Sequence, residues 1–295
     1  MIGARMDQPG ATMPLTHAGG YQAAGFALVA LVDLDAEARA AAKCWGGEIY
    51  ADFDEMMRGA KPEVLSIAVP TAVRARLLQQ ALQYKPRAVV AEKPLASTVA
   101  ESEGVVSAYS RAGVPLMVNY SRRYTSLWRR MRGSQAMTTT IRYAKGVRHN
   151  GTHAIDLCRM MFGECTSAMS LAKKLDCWPD DPTVSGFLTF ERCPEVFLQS
   201  LDERCFTLFE VDIVASTWRL IVDSDGRRAR RFELRNDVGI PPGRRLLGSG
   251  TEETGAGSAM LNLMQNLREV LEGAAPACSG EDALAAQRIA EQLSE

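Results

Sequence analysis

The first 120 residues alternate short apolar runs with longer stretches of helical periodicity. Buried strands, rich in Val, Leu, Ile or Met, are predicted at residues 28–32, 64–69, 88–91 and 116–118. Helices are predicted between them, over residues 35–45, 71–83 and 98–112. Strands that alternate with helices favour a parallel sheet covered by helices, so we expect a doubly wound α/β domain here.

Beyond about residue 135 the pattern changes to short alternating segments. Antiparallel strands are predicted at residues 137–143, 184–190, 196–201, 206–213 and 217–222. Helices are predicted at residues 153–162, 258–273 and 281–294. The Gly- and Pro-rich run from Gly239 to Gly257 predicts a long surface loop. We therefore expect two domains, residues 1–120 and 121–295, with the C-terminal helices as candidates to pack back on the first.

Composition narrows the classes of partner. The chain has 295 residues, a net charge of -1 and scattered Lys and Arg, which argues against binding nucleic acid or a membrane through bulk charge. No stretch approaches the roughly 20 apolar residues of a membrane span, and no signal peptide is recognised. The seven cysteines are odd in number and never form Cys-x-x-Cys, which fits reduced thiols. We expect a cytoplasmic protein with a small-molecule substrate.

Polar residues follow the predicted parallel strands. Asp33, Pro70, Glu92 and Asn119 each stand at or just after a strand end. Because ligands of doubly wound sheets bind beyond the carboxyl ends of the strands, these residues are predicted to surround one crevice. Asp33 is placed to accept hydrogen bonds from an adenosine ribose and to repel a 2′-phosphate, which favours NAD over NADP as cofactor. A simple turn-forming Asp is the alternative.

Glu92-Lys93-Pro94 is the most specific local signal. A Lys at a strand end beside a cofactor can hydrogen-bond a substrate hydroxyl or carbonyl oxygen, and partial burial shifts its pKa readily. An exposed turn lysine followed by a loop proline is the alternative reading of the tripeptide. The position after a predicted strand favours the catalytic interpretation of Lys93.

A second polar group lies at the start of the helix predicted at residues 153–162. His153 and Asp156 are one turn apart on one face, which suits acid–base work on a hydroxyl group. His149 precedes His153 by four residues, but the spacing matches no strong zinc pattern, so we predict no metal. A helix-capping His and a surface Asp are the structural alternatives.

The segment after the last predicted parallel strand could contact substrate. Arg123 and Tyr124 are predicted to bind substrate oxygens. The alternative is a basic surface turn with Tyr124 packed at the domain junction.

The expected glycine-rich phosphate loop is incomplete. A full G-x-G-x-x-G motif follows a first strand, whereas this chain begins two residues before Gly3. Gly3, Arg5 and Met6 match only the second half of the loop, and residues 7–16 look like an insertion. The sequence as given thus predicts a sheet without its central first strand, and a truncated start, a mis-called initiator and a real loss of the dinucleotide site are the open explanations.

Together these residues resemble the Gfo/Idh/MocA oxidoreductase family. The matches follow the family's order and are strongest at Glu92-Lys93-Pro94 and at Gly151-Thr152-His153-Ala154-Ile155-Asp156; the others are Gly3-Ala4-Arg5-Met6, Thr16-His17-Ala18, Asp33, Pro70-Thr71, Asn119 and Arg123-Tyr124.

The resemblance implies a Rossmann domain that holds NAD(P) and a mainly antiparallel, open-faced sheet that forms the substrate site. It also implies a homo-oligomer built through that sheet. Lys93 and His153 would then be the catalytic pair, with Glu92 at the nicotinamide ribose and Asp33 at the adenosine ribose. Arg74 and His149 depart from the family, because many relatives carry His and Asp at these positions.

Two functions remain open on the sequence. The leading one is an NAD(P)-dependent dehydrogenase or reductase of a sugar, nucleotide sugar or cyclitol. The other is a non-catalytic relative that binds a sugar or a partner protein after loss of the cofactor site, which the incomplete loop favours.

Overall fold

A computed structural model describes residues 8–223, 226–237 and 243–295. The predicted cofactor contacts Gly3, Arg5 and Met6 lie outside these described residues. The chain divides into two compact units. The first contains the chain up to Tyr124 together with Gly257–Leu284, and the second contains Thr125–Ala256 with Ala285–Glu295.

The described residues form helices and strands along the whole chain. The α-helices are α1 (His17–Ala23), α2 (Ala36–Ala42), α3 (Phe53–Gly59), α4 (Thr71–Leu82), α5 (Val99–Ala112), α6 (Ser126–Arg130), α7 (Thr152–Phe162), α8 (Ala259–Leu271) and α9 (Gly280–Ser294). The strands are β1 (Ala30–Val32), β2 (Glu48–Tyr50), β3 (Val64–Ile67), β4 (Ala88–Ala91), β5 (Leu116–Val118), β6 (Thr138–Tyr143), β7 (Cys165–Trp178), β8 (Asp181–Phe190), β9 (Cys193–Ser200), β10 (Phe209–Val214), β11 (Trp218–Val222), β12 (Arg228–Asp237) and β13 (Gly243–Glu253).

The first unit is built on parallel strands, as predicted. Strand β1 pairs with β2, and β3, β4 and β5 form a second parallel sheet with β4 in the centre. All four residues of β4 are buried, which is why its sequence reads as an uninterrupted apolar run. Among the described residues the two sheets are separate, and the division between them falls between β1 and β3.

Helix α1 contacts both parallel sheets. Its Ala18 packs in a buried cluster with Leu31 of β1 and with Trp45, while its His17 and Tyr21 bond to a side chain of β3 described below. Gly20 faces helix α8 so closely that a Cβ atom there would lie 2.7 Å from Cγ of Met260. The small residues of α1 therefore allow the two helices to approach, and α1 joins the sheets into one unit.

The second unit contains one eight-stranded sheet, in the order β13-β12-β11-β10-β6-β9-β8-β7. Every neighbouring pair is antiparallel except β6 and β9. In β6 and β10 buried residues alternate with half-buried ones, so one face of the sheet forms the core and the other is more open. This confirms the predicted fold class, a Rossmann-like parallel sheet plus a mainly antiparallel open-faced sheet.

Several elements were wrong or missing in the sequence prediction. The predicted loop from Gly239 to Gly257 is wrong for Gly243–Glu253, which forms β13 and pairs along its length with β12; residues 238–242 lie outside the described part. Strand β13 is exposed along most of its length, so its side chains show no apolar alternation, and main-chain pairing alone holds it as a strand. The pattern also missed α1, β2, α3, α6, β7 and β12.

In the part of the chain that the structure describes, no helix has both the length and the apolar character needed to cross a membrane.

Candidate active site

The ends of the parallel strands in the first unit bring two predicted residues together. The backbone N–H of Glu92 donates to the carbonyl of Ile67 at 3.1 Å, and that of Asn119 donates to the carbonyl of Ala91 at 2.9 Å. These bonds continue the strand ladders by one residue, so both side chains start from the same edge of the sheet. Pro70 is exposed at the N-terminus of α4, after β3.

Glu92 is the centre of a hydrogen-bonded cluster. Its Oε1 atom accepts from Nε2 of His17 at 2.9 Å and from Nδ2 of Asn119 at 2.8 Å. Burial by itself raises the pKa of Glu92, but the bond and charge of His17, the bond from Asn119 and the charge of Arg74 together lower it to about 2. The carboxylate is therefore ionised. Among the described residues none bonds to Oε2, and 29% of the side chain is exposed.

His17 extends this cluster into the core. Its Nδ1 atom lies 2.8 Å from Oγ of Ser66, which in turn lies 2.9 Å from the hydroxyl of Tyr21. Burial raises the pKa of Tyr21 to about 12, although its bond to Ser66 lowers it, so the phenol keeps its proton. Sequence reasoning included His17 in the family match without giving it a role, and missed Ser66 and Tyr21 altogether.

Arg74 connects the turns after β3 and β4. This buried side chain donates through Nη2 to the carbonyl of Val69 at 2.6 Å and through Nη1 to the carbonyl of Pro94. Burial lowers the pKa of Arg74, and the charge of Glu92 opposes that shift. Because Pro94 directly follows Lys93, Arg74 fixes the main chain from which the half-buried Lys93 projects.

Asp33 follows the other parallel sheet. Its Oδ1 accepts from the backbone N–H of Asp35 at 3.0 Å. Arg39 donates through Nη1 to the carbonyls of Asp33 and Leu34, both at 2.8 Å. The guanidinium of Arg39 thus bonds to main-chain oxygens, and the carboxylate of Asp33 supplies a negative charge at this turn.

A small pocket lies beside Asp33. Its walls include the apolar side chains of Leu31, Ala38, Ala42 and Ile49. A carboxylate at the end of a parallel strand suits a ribose, whose hydroxyl groups are hydrogen-bond donors.

The second unit holds the predicted acid–base group. His153 and Asp156 lie on α7, one turn apart; His153 is half-buried and Asp156 is 1% exposed. His149 lies in a π-helical segment, Gly146–Gly151, that runs directly into α7. The ring centroids of His149 and Trp178 are 5.6 Å apart. A π-helical turn is frequently associated with functional sites.

Asp181 holds the π-helical segment in place. Its two carboxylate oxygens accept from the backbone N–H groups of Arg148 and His149, both at 2.8 Å. Burial raises the pKa of Asp181, and these two bonds oppose the rise. Gly146 passes directly over the carboxylate with a φ of +72°, and a Cβ atom there would lie 2.1 Å from Oδ2. Only glycine fits at this position.

The contacts of Arg123 and Tyr124 are structural. Arg123 is 3% exposed, donates through Nη1 to the carbonyl of Ala277 at 3.0 Å and forms an ion pair with Asp282 at 3.1 Å. The Tyr124 hydroxyl is buried and donates to the carbonyl of Val118 at 3.3 Å. These bonds join the end of β5 to the C-terminal part of the first unit, so they do not support the predicted contacts of Arg123 and Tyr124 with substrate.

Asp33 and Glu92 lie where parallel strands end, which is typical of a nucleotide-binding α/β protein. The second unit adds a large, mainly antiparallel sheet. Comparison with known proteins agrees with this class. Residues 1–120 match the sequence model of the oxidoreductase family with an NAD-binding Rossmann fold. This part of the chain is therefore similar to the Gfo/Idh/MocA oxidoreductases, the family that its motifs resemble.

Two curated relatives are similar in sequence. D-apiose dehydrogenase of Paraburkholderia graminis is 28% identical over 254 residues, which are 74% of this chain and 67% of the relative. Inositol 2-dehydrogenase of Rubrobacter xylanophilus is 33% identical over 106 residues, which are 35% of this chain and 30% of the relative.

Solved structures share the fold. A UDP-N-acetylglucosamine 3-dehydrogenase from Acidithiobacillus ferrooxidans has a TM-score of 0.74 at 15% identity, covering 94% of this chain and 91% of its own. A levoglucosan dehydrogenase in complex with NADH has a TM-score of 0.76 at 15% identity, covering 94% and 92%. At these identities the likeness establishes the fold alone.

Proposed function

We propose that the protein is an NAD(P)-dependent oxidoreductase that transfers a hydride to or from a carbon of a sugar, nucleotide sugar or cyclitol. The observation that carries this proposal is the ionised Glu92, held at one oxygen and open at the other, directly before Lys93 at the carboxyl edge of the parallel sheet. The family and the curated relatives, which act on D-apiose and inositol by name, support the class of reaction.

The described residues fit a dinucleotide. The open oxygen of Glu92 suits a ribose hydroxyl, and Asp33, directly after a parallel strand, suits the hydroxyls of an adenosine ribose. The charge of Asp33 opposes a 2′-phosphate, and Arg39 is engaged by main-chain carbonyls, so NAD is favoured over NADP. When bound, the nicotinamide supplies or accepts the hydride.

Side chains of the protein would bind the reacting oxygen of the substrate and transfer its proton. We assign Lys93 to the hydroxyl or carbonyl oxygen of the substrate, and His153 to the proton that leaves or returns to that oxygen. Asp156, buried one turn further along α7, would orient the substrate or the ring of His153, and His149 would contact substrate. These assignments rest on residue chemistry and on the family resemblance.

A homo-oligomer and a cytoplasmic location complete the proposal. Exposed apolar side chains follow one another along β7, at Met169, Leu171 and Leu175, and a second copy of the chain would cover them. The cysteines are free thiols, which fits a reducing compartment. Light scattering on the purified protein, with Leu171→Lys as the variant, tests the association.

Titration with NADH and NADPH, followed by turnover measurements over a panel of aldoses, cyclitols and nucleotide sugars, tests the function. We expect NADH to bind more tightly than NADPH and at least one polyhydroxylated substrate to be turned over. If neither nicotinamide binds while a sugar does, the protein is instead a non-catalytic relative that binds a sugar.

A further inference from the structure

A buried chain of polar side chains ends at the open carboxylate of Glu92. Only 4% of His17 is exposed, yet both of its ring nitrogens have partners, Ser66 at Nδ1 and Glu92 at Nε2. Tyr21 continues the chain beyond Ser66, and Asn119 meets it at Glu92. A buried histidine needs partners at both nitrogens, and here one of these partners is the ionised carboxylate at the end of a parallel strand.

The bonds define the direction in which protons are donated. Ionised Glu92 can only accept, so Nε2 of His17 carries a proton and donates it. A neutral ring accepts at Nδ1 from the Ser66 hydroxyl, which accepts from Tyr21, whereas a protonated ring donates at Nδ1 to Ser66, which donates to Tyr21. In both states Nε2 of His17 donates to Glu92, so the bond to the carboxylate keeps one direction.

This arrangement fixes the carboxylate of Glu92 in space. Two donors, from His17 and from Asn119, converge on Oε1 and leave Oε2 for a ligand. We infer that His17 is a positioning residue that orients Oε2 of Glu92 towards the nicotinamide ribose and thereby sets cofactor affinity. The inference rests on the proposed function for the identity of the ligand, although the fixed carboxylate itself does not depend on it.

A matched pair of substitutions separates the two bonds of His17. In His17→Gln the side-chain amide nitrogen reaches the position of Nε2 and can still donate to Glu92, while the bond to Ser66 is lost. In His17→Asn the shorter amide can still reach Ser66, but the bond to Glu92 is lost. Both variants remove the ring, so both lose similar packing, and their melting temperatures should be similar.

NADH titration of the purified proteins gives the first readout. We expect His17→Asn to weaken NADH binding by about tenfold or more, the size expected for a lost charge-assisted bond, and His17→Gln to stay within about threefold of the original chain. Glu92→Gln should weaken binding as well, and adding His17→Asn to it should cause little further loss. Equal losses in the Gln and Asn variants, or none in His17→Asn, would overturn the inference.

Titration of the Glu92 carboxyl by carbon-detected NMR gives a second readout that needs no cofactor. The groups that face Glu92 are His17, Asn119 and Arg74. We expect the pKa of Glu92 to rise in His17→Asn and to stay low in His17→Gln, and an unchanged pKa in His17→Asn would overturn the positioning role. If the original chain binds no nicotinamide while this pattern of pKa values holds, the proposed function fails and the positioning role stands.

Discussion

The Nε2 atom of His17 lies 2.9 Å from Oε1 of Glu92, so the start of helix α1 is bonded to the residue that precedes Lys93. One bond thus joins helix α1 to Glu92-Lys93-Pro94, the most specific tripeptide of the sequence. The chemistry at the strand end depends on residues that are distant in sequence.

Replacing Glu92 by Gln should change how stability depends on pH. The pKa of the carboxyl is about 2 in the folded protein, below its ordinary value of 4.5, so the charged form stabilises the fold. That contribution, on the order of 3 kcal/mol at most, is complete above about pH 4.5 and is lost as the pH falls through 2.

Urea unfolding of the original chain and of Glu92→Gln at several pH values measures this contribution. We expect the difference in unfolding free energy to shrink as the pH falls from 5 towards 3. A difference that stays constant over that range would show that the bonds to His17 and Asn119 do not depress the pKa.

Gly146→Ala should strongly destabilise the second unit. The positive φ of +72° costs an alanine roughly 1–2 kcal/mol, and the new Cβ atom would overlap the carboxylate of Asp181. Gly133→Ala is the matched control, because Gly133 has a φ of +73° and nothing within 4 Å of the new atom. The excess loss of unfolding free energy in Gly146→Ala over Gly133→Ala measures the overlap, and equal losses would contradict it.

Asp181→Ala should disturb the segment that carries His149. Removing the carboxylate leaves the N–H groups of Arg148 and His149 without their acceptor, which should lower stability by about 1–3 kcal/mol. The neighbouring Asp180 is exposed, so Asp180→Ala serves as the control. We expect turnover to fall in Asp181→Ala and not in Asp180→Ala. The rate of hydrogen exchange at the His149 amide should rise in Asp181→Ala as well. An unchanged exchange rate there would contradict the account.

Arg123→Ala distinguishes a structural role from substrate binding. The loss of a buried partner of Asp282 should lower the unfolding free energy by about 3 kcal/mol, because Asp282 is left without its counter-ion. Exposed Arg129→Ala should change stability by less than about 0.5 kcal/mol. A rise in KM without loss of stability would instead support the contact with substrate that the sequence suggests.

The sequence predicts the fold where burial controls the side-chain pattern. Strands β3, β4 and β5 are buried by helices, so their apolar runs are plain in the sequence. Strands β12 and β13 pair with each other near the edge of the second sheet and remain largely exposed, so main-chain bonds hold them without an apolar signature. Helix α1 is missed because its small residues reflect close contact with α8, which no local pattern reveals.

In the candidate site, the residues at strand ends can be predicted from the sequence, and those that only the fold brings there cannot. Glu92 and Asn119 follow strands whose carboxyl ends must share an edge, and the structure joins them at 2.8 Å. Ser66 and Tyr21 carry no such signal, because a serine in a strand and a tyrosine in a helix are ordinary residues until the fold brings them to His17.

Turnover of Lys93→Met tests the central claim most directly. We expect this variant to bind NADH as the original chain does and to lose turnover of the preferred sugar by about 100-fold or more, because the group that bonds the reacting oxygen is gone. Lys43→Ala, at an exposed position after α2, should leave turnover unchanged. Full activity in Lys93→Met, measured as the change in nicotinamide absorbance, would contradict the account.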